Sequence, residues 1–382
     1  MRLANRLAEV TPYLFAELNA RAAAAREQGA DVISLAAGDP DLPPLPHVVQ
    51  ALVKAIGDPN QHRYPPYDGL LELRESIARY YRQRYGVRLD PRREVLILIG
   101  AKEGFAHVAH ALLDPGSVAL VPDPGYPAYA SQVELAGGIV RPMPLDPGRG
   151  WLADWGAIDP GMARMVFLNY PSNPTGAVCQ QADLAEAVSF CREHHLALVH
   201  DLAYGEITFD GHEAPSVLQV PGATEVAVEI LSLSKTYRMA GMRVGAVVGN
   251  PELVSAIRLL KSHSDTGQFR AIQRAAVAAL EGPQGHIAGD RALYQARRDR
   301  VVARLTELGL EPEIPGGTLY VWAKLPSGLS GRDYASMALE RAAVLVTPGE
   351  AYGPSGKPYI RLSLTVPDDR LDEALDRLFR PI

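Results

Sequence analysis

Short runs of apolar residues alternate along the chain with longer segments in which apolar residues recur every three or four positions. The short runs predict six strands, at 94–100, 117–122, 165–170, 196–201, 226–234 and 243–249. The longer segments predict helices, the clearest at 69–86, 103–113 and 181–195. Near-continuous apolar strands separated by helices are typical of a largely parallel sheet that helices cover on both faces. The pattern therefore predicts an α/β domain.

The pattern changes after about residue 283. A long charged helical segment leads into "PGGTLYVWAKLP", another helix and "YIRLSLTV", an arrangement that predicts a smaller α+β domain. We expect residues 47–282 to form the large domain, and residues 1–46 and 283–382 to form the small one. The first 29 residues lack an apolar signal core and are predicted to form an amphipathic helix.

Composition and charge exclude several classes of partner. Of the 382 residues, 47% are hydrophobic and 21% are charged, and the net charge of −6 gives no reason to expect binding to nucleic acid or to an anionic membrane. No apolar run is long enough to cross a membrane. The two cysteines, Cys179 and Cys191, fit a reducing compartment. These features predict a cytoplasmic protein without a nucleic-acid or membrane partner.

Polar residues that could take part in catalysis or binding cluster where the predicted strands end, which is where α/β sheets bind ligands. They include Asp201, Tyr204 and Lys235. A lysine at the end of an apolar strand is either a surface residue with a packed stem or a nucleophile. The segment "LIGAKEGF" (98–105) is a strand-to-helix turn that could hold a phosphate at the helix N-terminus. No dinucleotide fingerprint and no ligand spacing typical of a metal site is present.

Four motifs occur in an order that narrows the function: "NYPSNPTGAV", "HDLAYGEI", "SLSKTYRMAGMRVG" and "YIRLSLTV". Together they resemble the fold-type I pyridoxal-phosphate (PLP) enzymes, and specifically the class I/II aminotransferases. The segments "HRYPPYDG", "GAKEG", "VPDPGYPAY" and "SDTGQFRAIQRAA" are most similar to the LL-diaminopimelate aminotransferase branch. The resemblance implies a large domain with a mostly parallel seven-stranded sheet between helices, plus a smaller α+β domain.

The resemblance also implies a role for each residue that contacts the cofactor ring. Lys235 would form the Schiff base with PLP and then transfer protons as a general acid/base. Asp201 would face the pyridine nitrogen and keep the ring protonated. Asn173 and Tyr204 would hydrogen-bond the phenolic oxygen of the ring, and Tyr126 would stack on its face.

A second group would hold the phosphate of the cofactor. The resemblance assigns this role to the backbone N–H groups of Ala101 and Lys102, the hydroxyl of Ser232 and the guanidinium of Arg243. Tyr64 matches a tyrosine that reaches the phosphate of the neighbouring subunit. The match therefore implies a homodimer with shared active sites.

Substrate recognition is assigned in the same way. Arg361 would bind the α-carboxylate as a bidentate fork, beside Asn173, and Gly38 would let the backbone approach the substrate closely. Arg238 stands where this branch commonly has asparagine, and Arg270 adds a cation near the expected pocket rim. Each is either a surface residue or a pocket residue, and a pocket residue would favour substrates with a distal carboxylate.

The predicted function is PLP-dependent transfer of an amino group between an amino acid and a 2-oxo acid by a ping-pong mechanism. LL-diaminopimelate, aspartate, glutamate or a relative are the candidate donors. A PLP lyase or decarboxylase on the same fold is the alternative enzyme. A non-catalytic regulatory module is the alternative from another class, and the short stretch of about 45 residues before the α/β pattern argues against it.

Overall fold

The computed structural model describes residues 14–379, and within them two sheets dominate the fold. The strands are β1 (Ile33–Ser34), β2 (Val95–Leu98), β3 (Val118–Asp123), β4 (Ile139–Asp146), β5 (Leu152–Ala153), β6 (Ala163–Asn169), β7 (Ala197–Asp201), β8 (Ala227–Ser232), β9 (Gly245–Gly249), β10 (Glu311–Pro312), β11 (Tyr320–Lys324), β12 (Val344–Leu345), β13 (Thr347–Pro348) and β14 (Tyr359–Ser363).

The helices alternate with these strands through the first two thirds of the chain. They are α1 (Leu14–Glu27), α2 (Pro46–Ile56), α3 (Leu71–Tyr85), α4 (Ala101–Leu112), α5 (Pro127–Leu135), α6 (Gln181–Glu193), α7 (Ala223–Val226), α8 (Leu233–Thr236), α9 (Pro251–Ser264), α10 (Arg270–Glu281), α11 (His286–Glu307), α12 (Gly331–Ala342) and α13 (Asp368–Phe379). The predicted N-terminal helix is described only from residue 14, and its first 13 residues lie outside the described part. None of the helices in residues 14–379 is long and apolar enough to span a bilayer.

The large sheet has the strand order β2-β9-β8-β7-β6-β3-β4-β5. Strands β8, β7, β6, β3 and β4 run parallel, whereas β9 runs antiparallel to both of its neighbours and β5 is a two-residue edge strand. Because β9 is reversed, β2 again points the same way as β8. The carboxyl ends of β2, β8, β7 and β6 therefore meet at one edge, together with the amino end of β9. The predicted mostly parallel sheet is confirmed, but it has eight strands rather than seven, because the two-residue strand β5 is added at one edge.

Both faces of this sheet are buried, and the side chains of each strand alternate between them. In β2, Leu96 and Leu98 join a core formed with α4, α5 and α9. Val95 and Ile97 point the other way, into a core formed with α3, α6 and α10. This two-sided burial explains why the sequence shows near-continuous apolar runs rather than an alternating pattern.

The sequence did not predict β4, because Pro142 and Pro144 interrupt its apolar pattern. Proline cannot donate a ladder hydrogen bond and normally marks an edge strand or a turn. In the structure β4 pairs with β3 from Ile139 to Pro144 and contacts β5 only at Leu145 and Asp146. Its other side is therefore mostly an open edge, where proline is tolerated.

The second sheet is antiparallel, with the order β10-β11-β14-β13. Helices α11, α12 and α13 pack on it through a separate apolar core that includes Tyr294, Ala338 and Leu371. Strand β1 pairs in parallel with β12, which attaches the segment around Ile33 to this C-terminal part of the chain. The division of the chain into 1–46 with 283–382 and 47–282 stays a prediction.

Candidate active site

A cavity of about 300 Å³ lies at the edge of the large sheet where the carboxyl ends of its strands meet. All predicted site residues except Tyr64 line this cavity. They are Gly38, Ala101, Lys102, Tyr126, Asn173, Asp201, Tyr204, Ser232, Lys235, Arg243 and Arg361. The structure thus brings together residues that are up to 323 positions apart in the sequence, between Gly38 and Arg361.

Lys235 does not end a strand, as the sequence suggested, but lies in the short helix α8. Strand β8 ends at Ser232, whose side chain accepts a hydrogen bond from the Ser234 N–H at 3.2 Å and so caps α8. The Lys235 Nζ donates to the Gly38 carbonyl oxygen at 2.5 Å. A side chain at position 38 would overlap the Tyr320 phenol, so glycine allows this close approach.

One end of the cavity is built to hold an anion. Helix α4 begins at Ala101 directly after β2, and its first-turn N–H groups and positive dipole end point into this region. Gly100, at φ +80°, precedes the helix, and a Cβ there would overlap the Arg243 guanidinium. Ser232 lines the same cavity. A guanidinium, a hydroxyl and a helix N-terminus suit a phosphate dianion.

Arg243 adopts a left-handed backbone conformation, with φ +54°. The Gln268 side-chain amide donates to the carbonyl oxygens of Met242 at 2.7 Å and Arg243 at 2.5 Å. Gln273 in turn donates to the Gln268 carbonyl oxygen at 2.6 Å. This buried amide chain holds Arg243 in a conformation that a non-glycine residue rarely adopts.

A buried carboxylate occupies another part of the cavity. Asp201 accepts a hydrogen bond from the Tyr129 hydroxyl at 2.6 Å and one from the Ala203 N–H at 3.0 Å. Burial raises the pKa of Asp201 to about 6, although both hydrogen bonds act to lower it. A protonated ring nitrogen opposite Asp201 would favour the ionised carboxylate, as the assigned role requires.

Arg361 approaches the cavity from the C-terminal sheet. It donates to the Asn173 Oδ1 at 2.7 Å and to the Ala36 carbonyl oxygen. Its guanidinium lies 3.7 Å from the Tyr320 ring centroid and 5.0 Å from that of Tyr352. The side chain is 2% exposed, so its planar fork is fixed in an interior position suited to a carboxylate.

The aromatic residues of the cavity contact one another. The Tyr204 and Tyr320 hydroxyls are 3.0 Å apart. Tyr126 packs edge to face on Phe105 and on Tyr129, with ring centroids 6.3 and 5.6 Å away. The half-buried Tyr126 ring can therefore lie against a flat ligand while its own position is fixed by packing.

These residues fit PLP on three separate observations. The Arg243 guanidinium, the Ser232 hydroxyl and the N-terminus of α4 can hold a phosphate. The buried Asp201 carboxylate can meet a ring nitrogen, and the Lys235 amine lines the same cavity of about 300 Å³. The groups that would bind the anion are the Arg243 guanidinium, the Ser232 hydroxyl and the N–H groups at the start of α4. These cationic and N–H donors match a phosphate rather than a sugar or an apolar group.

Three residues considered from the sequence are absent from the cavity lining within residues 14–379. Tyr64 is 80% exposed, and its carbonyl oxygen accepts two hydrogen bonds from Arg270 at 3.1 and 2.6 Å. Arg238 pairs with Asp290 and donates to the Pro43 carbonyl oxygen at 3.0 Å. Neither arginine therefore faces the substrate region of this chain.

Sequence reasoning missed Tyr129 and Tyr320. Tyr129 follows Tyr126 by three positions on α5, so the helical period could have placed both rings on one side. Tyr320 had no such signal. Its contact with Arg361 depends on the register of β11 against β14, in which Trp322 stands opposite Arg361 and Tyr320 is its diagonal neighbour.

The chain matches the family described as aminotransferase class I and II over residues 30–378. It is 48% identical over 383 residues to an LL-diaminopimelate aminotransferase of Moorella thermoacetica, an alignment that covers 100% of this chain and 98% of that protein. The substrate-bound structure of BacF from Bacillus subtilis superposes with a TM-score of 0.96 at 38% identity, covering 99% of this chain and 97% of that one. A probable N-succinyldiaminopimelate aminotransferase from Thermus thermophilus gives a TM-score of 0.90 at 37% identity, with 95% and 98% covered.

Proposed function

The chain belongs to the class I and II aminotransferases, which use PLP, and we propose that its amino donor is LL-diaminopimelate and its acceptor a 2-oxo acid. The observation that supports this donor is the full-length identity of 48% to a relative of that name. A second relative of the same name, from Desulforudis audaxviator, is 47% identical over 98% of this chain. The cavity supports the proposal because every predicted site residue except Tyr64 lines it.

PLP supplies an aldehyde that takes up the amino group and a ring that withdraws electrons from the reacting carbon. The residues of this chain bind the cofactor, orient the reactants and move protons. We assign Lys235 two tasks, holding the cofactor covalently and moving the proton at the α-carbon of the substrate. Its contact with the Gly38 carbonyl oxygen supports this assignment, because it keeps the amine inside the cavity.

Two further residues orient the reactants. Asp201, held by Tyr129 and by the Ala203 N–H, would keep the ring nitrogen protonated. Arg361 would bind the α-carboxylate through the edge of its guanidinium, with Asn173 beside it. A fixed carboxylate sets the orientation of the α-carbon relative to Lys235, and correct orientation accounts for a large part of catalysis.

A donor half-reaction tests this assignment. The purified protein is loaded with PLP, mixed with one amino acid and no acceptor, and followed by the absorbance of the cofactor. We expect stoichiometric conversion to the pyridoxamine form, fastest with LL-diaminopimelate among LL-diaminopimelate, aspartate, glutamate and alanine. Faster conversion by another donor would overturn the substrate assignment. Release of product without conversion of the cofactor would instead indicate a lyase or decarboxylase.

We also infer a homodimer in which Tyr64 serves the active site of the neighbouring subunit. The Tyr64 side chain is exposed, whereas its backbone is held, because Arg270 binds its carbonyl oxygen and Pro65 packs near Gly267. A large, exposed aromatic side chain on a fixed backbone suits a contact with a second copy.

Mixing two inactive variants tests the shared site. In a heterodimer of Lys235→Ala and Tyr64→Ala subunits, one site keeps both its own lysine and the tyrosine of the other subunit. We expect mixing to restore at most about half of the activity of the wild type, because only one of the two sites is intact. Absence of recovery despite heterodimers seen by mass spectrometry would contradict the shared site.

The buried, free cysteines Cys179 and Cys191 agree with a reducing compartment, and we place the enzyme in the cytoplasm. Burial raises the pKa of the Cys191 thiol to about 12, which leaves it unreactive. Detection of the protein in the membrane or secreted fraction of its cells would contradict this location.

A further inference from the structure

Tyr320 contacts both Arg361, which we assign to the substrate carboxylate, and Tyr204, which we assign to the cofactor. Its ring lies under the Arg361 guanidinium, its hydroxyl is 3.0 Å from that of Tyr204, and the same hydroxyl lies against Gly38. The Gly38 carbonyl oxygen is the acceptor for Lys235. Tyr320 is 4% exposed and lines the cavity, so it is placed to act on both the carboxylate side and the cofactor side.

The ring of Tyr320 limits how Arg361 can bind. With its carbon 3.7 Å from the Tyr320 centroid and 5.0 Å from the Tyr352 centroid, the guanidinium lies over two aromatic rings. Stacking of this kind stabilises the cation and fixes the plane of its N–H groups. A substrate carboxylate must therefore approach in that plane, where two parallel hydrogen bonds can form.

The hydroxyl of Tyr320 acts on Tyr204. Burial acts to raise the pKa of the Tyr320 phenol, but the nearby Arg361 guanidinium, the Lys235 side chain and the hydrogen bond with Tyr204 together lower it. Burial and the neighbouring Tyr320 raise the pKa of Tyr204 well above its usual value. In the arrangement that we propose below, Tyr320 donates to Tyr204 across their 3.0 Å contact. The proton of Tyr204 is then available for another acceptor, such as the phenolic oxygen of the cofactor.

We propose that Tyr320 is a positioning residue that couples carboxylate binding at Arg361 to the hydrogen bond that Tyr204 gives to the cofactor. The proposal rests on the functions proposed above for Arg361 and Tyr204. The ring and the hydroxyl have separable effects. The ring orients Arg361, and the hydroxyl strengthens Tyr204 as a donor.

Two variants at this position separate the effects. Tyr320→Phe keeps the ring and removes the hydroxyl, whereas Tyr320→Leu removes both. Tyr334→Phe and Tyr334→Leu are matched controls, because Tyr334 is 6% exposed in the core of the C-terminal sheet and does not line the cavity. Each PLP-loaded protein is examined for the dissociation constant of maleate, an unreactive dicarboxylate, and for the pH midpoint of the cofactor absorbance.

We expect Tyr320→Phe to raise the pH midpoint of the cofactor absorbance by roughly half a unit. A weaker Tyr204 donor leaves more negative charge on the phenolic oxygen of the cofactor, and this charge makes a nearby proton harder to remove. Its dissociation constant for maleate should stay within about twofold of the wild type, since the ring still stacks. Tyr320→Leu should show the same shift and bind maleate on the order of tenfold more weakly.

Two results would overturn the proposal. One is a Tyr320→Phe midpoint equal to those of the wild type and Tyr334→Phe. The other is unchanged maleate binding in Tyr320→Leu. If the leucine variant fails to fold, the phenylalanine variant still decides the role of the hydroxyl. A wild-type protein that shows no cofactor absorbance with PLP would instead overturn the proposed function itself, so the two failures are distinguishable.

Discussion

Lys235 and Lys261 both bring an amine inside the region built on the large sheet, but their surroundings differ in charge. Lys261 is 1% exposed, and its Nζ lies 2.8 Å from both Glu103 and Asp265. Lys235 instead contacts the Gly38 carbonyl oxygen, and no salt bridge to it is present within residues 14–379. Arginine side chains line its cavity, whereas carboxylates surround Lys261.

The difference explains why one lysine is structural and the other is suited to chemistry. The Lys261 amine is engaged by two carboxylates in an ion pair, so it is not available to a ligand. The Lys235 amine has no carboxylate partner among the described residues and lines the cavity, where the carbonyl group of a ligand can reach it. The Lys261 group also resembles a metal site, since ligand atoms of Glu103, His107 and Asp265 lie within 4.8 Å of one another, but the lysine itself supplies the cation there.

The largest effect expected from this comparison is the loss of activity in Lys235→Ala. Removing the amine removes both the covalent attachment and the proton carrier, so transamination should fall on the order of 10³-fold or more. The half-reaction rate and retention of PLP through gel filtration measure the two losses. Lys324→Ala, at an exposed lysine paired with Glu311, is the control and should keep full activity. A Lys235→Ala protein that still transaminates would refute the assignment.

The second effect is on stability rather than chemistry. Lys261→Met keeps the stem but leaves the half-buried Glu103 and Asp265 carboxylates without a cation, so the free energy of unfolding should fall by about 3 kcal/mol. Urea denaturation measures this fall, and Lys324→Met should cost less than about 1 kcal/mol as a surface control. Folded Lys261→Met should still show the absorbance of bound PLP. A variant as stable as the wild type would show that the cluster is not a structural ion pair.

The pH dependence of stability should differ in sign between the two regions. Burial raises the pKa of Asp201 to about 6 in the cofactor-free protein, so its contribution to folding is full below about pH 4 and is lost as the pH rises through 6. Burial also acts to raise the pKa of Glu103, but hydrogen bonds from His107 and Lys261 and the positive charge of Lys261 outweigh it and hold that pKa at about 2. The contribution of Glu103 is therefore present above about pH 4.5 and is lost as the pH falls through 2.

Denaturation of cofactor-free wild type and Asp201→Asn between pH 4 and 7 isolates the Asp201 contribution. The difference in unfolding free energy should decline with rising pH by on the order of 2–3 kcal/mol. The same comparison with Glu103→Gln should give no decline over this range, since Glu103 stays ionised throughout. A flat difference for Asp201→Asn would contradict the raised pKa.

The smallest effect concerns Arg238, which follows Lys235 by three positions but pairs with a carboxylate as Lys261 does. Its Nε lies 3.1 Å from Asp290, and both side chains are mostly buried. Arg238→Ala should lower the unfolding free energy by about 1 kcal/mol and leave the order of preferred donors unchanged. Arg300→Ala, which removes a more exposed pair with Asp372, is the control. A changed donor preference would place Arg238 in substrate recognition after all.

Much of this organisation could be predicted from the sequence. The apolar runs located β2, β3, β6, β7, β8 and β9 to within a few residues, because a strand buried on both faces needs apolar side chains throughout. The strand ends indicated only where Asp201, Tyr204 and Lys235 would lie, and the role of each site residue came from the resemblance to the aminotransferases. Strand β4 was missed because its prolines resemble a turn when the neighbouring strands are unknown.

The sequence by itself determined which residues are buried locally and which chemical groups are available, including Lys235, Asp201 and Arg361. Only the tertiary structure decided which of them meet. Strand β9 runs antiparallel to β8, so Arg243 lies beside Ser232 in the cavity. Tyr320 contacts Arg361 because of the register of β11 against β14. Lys261 binds Glu103, which lies 158 positions earlier in the chain. The periodicity of a segment predicts which of its residues are buried. Distances between segments depend on strand direction and register, which periodicity does not encode.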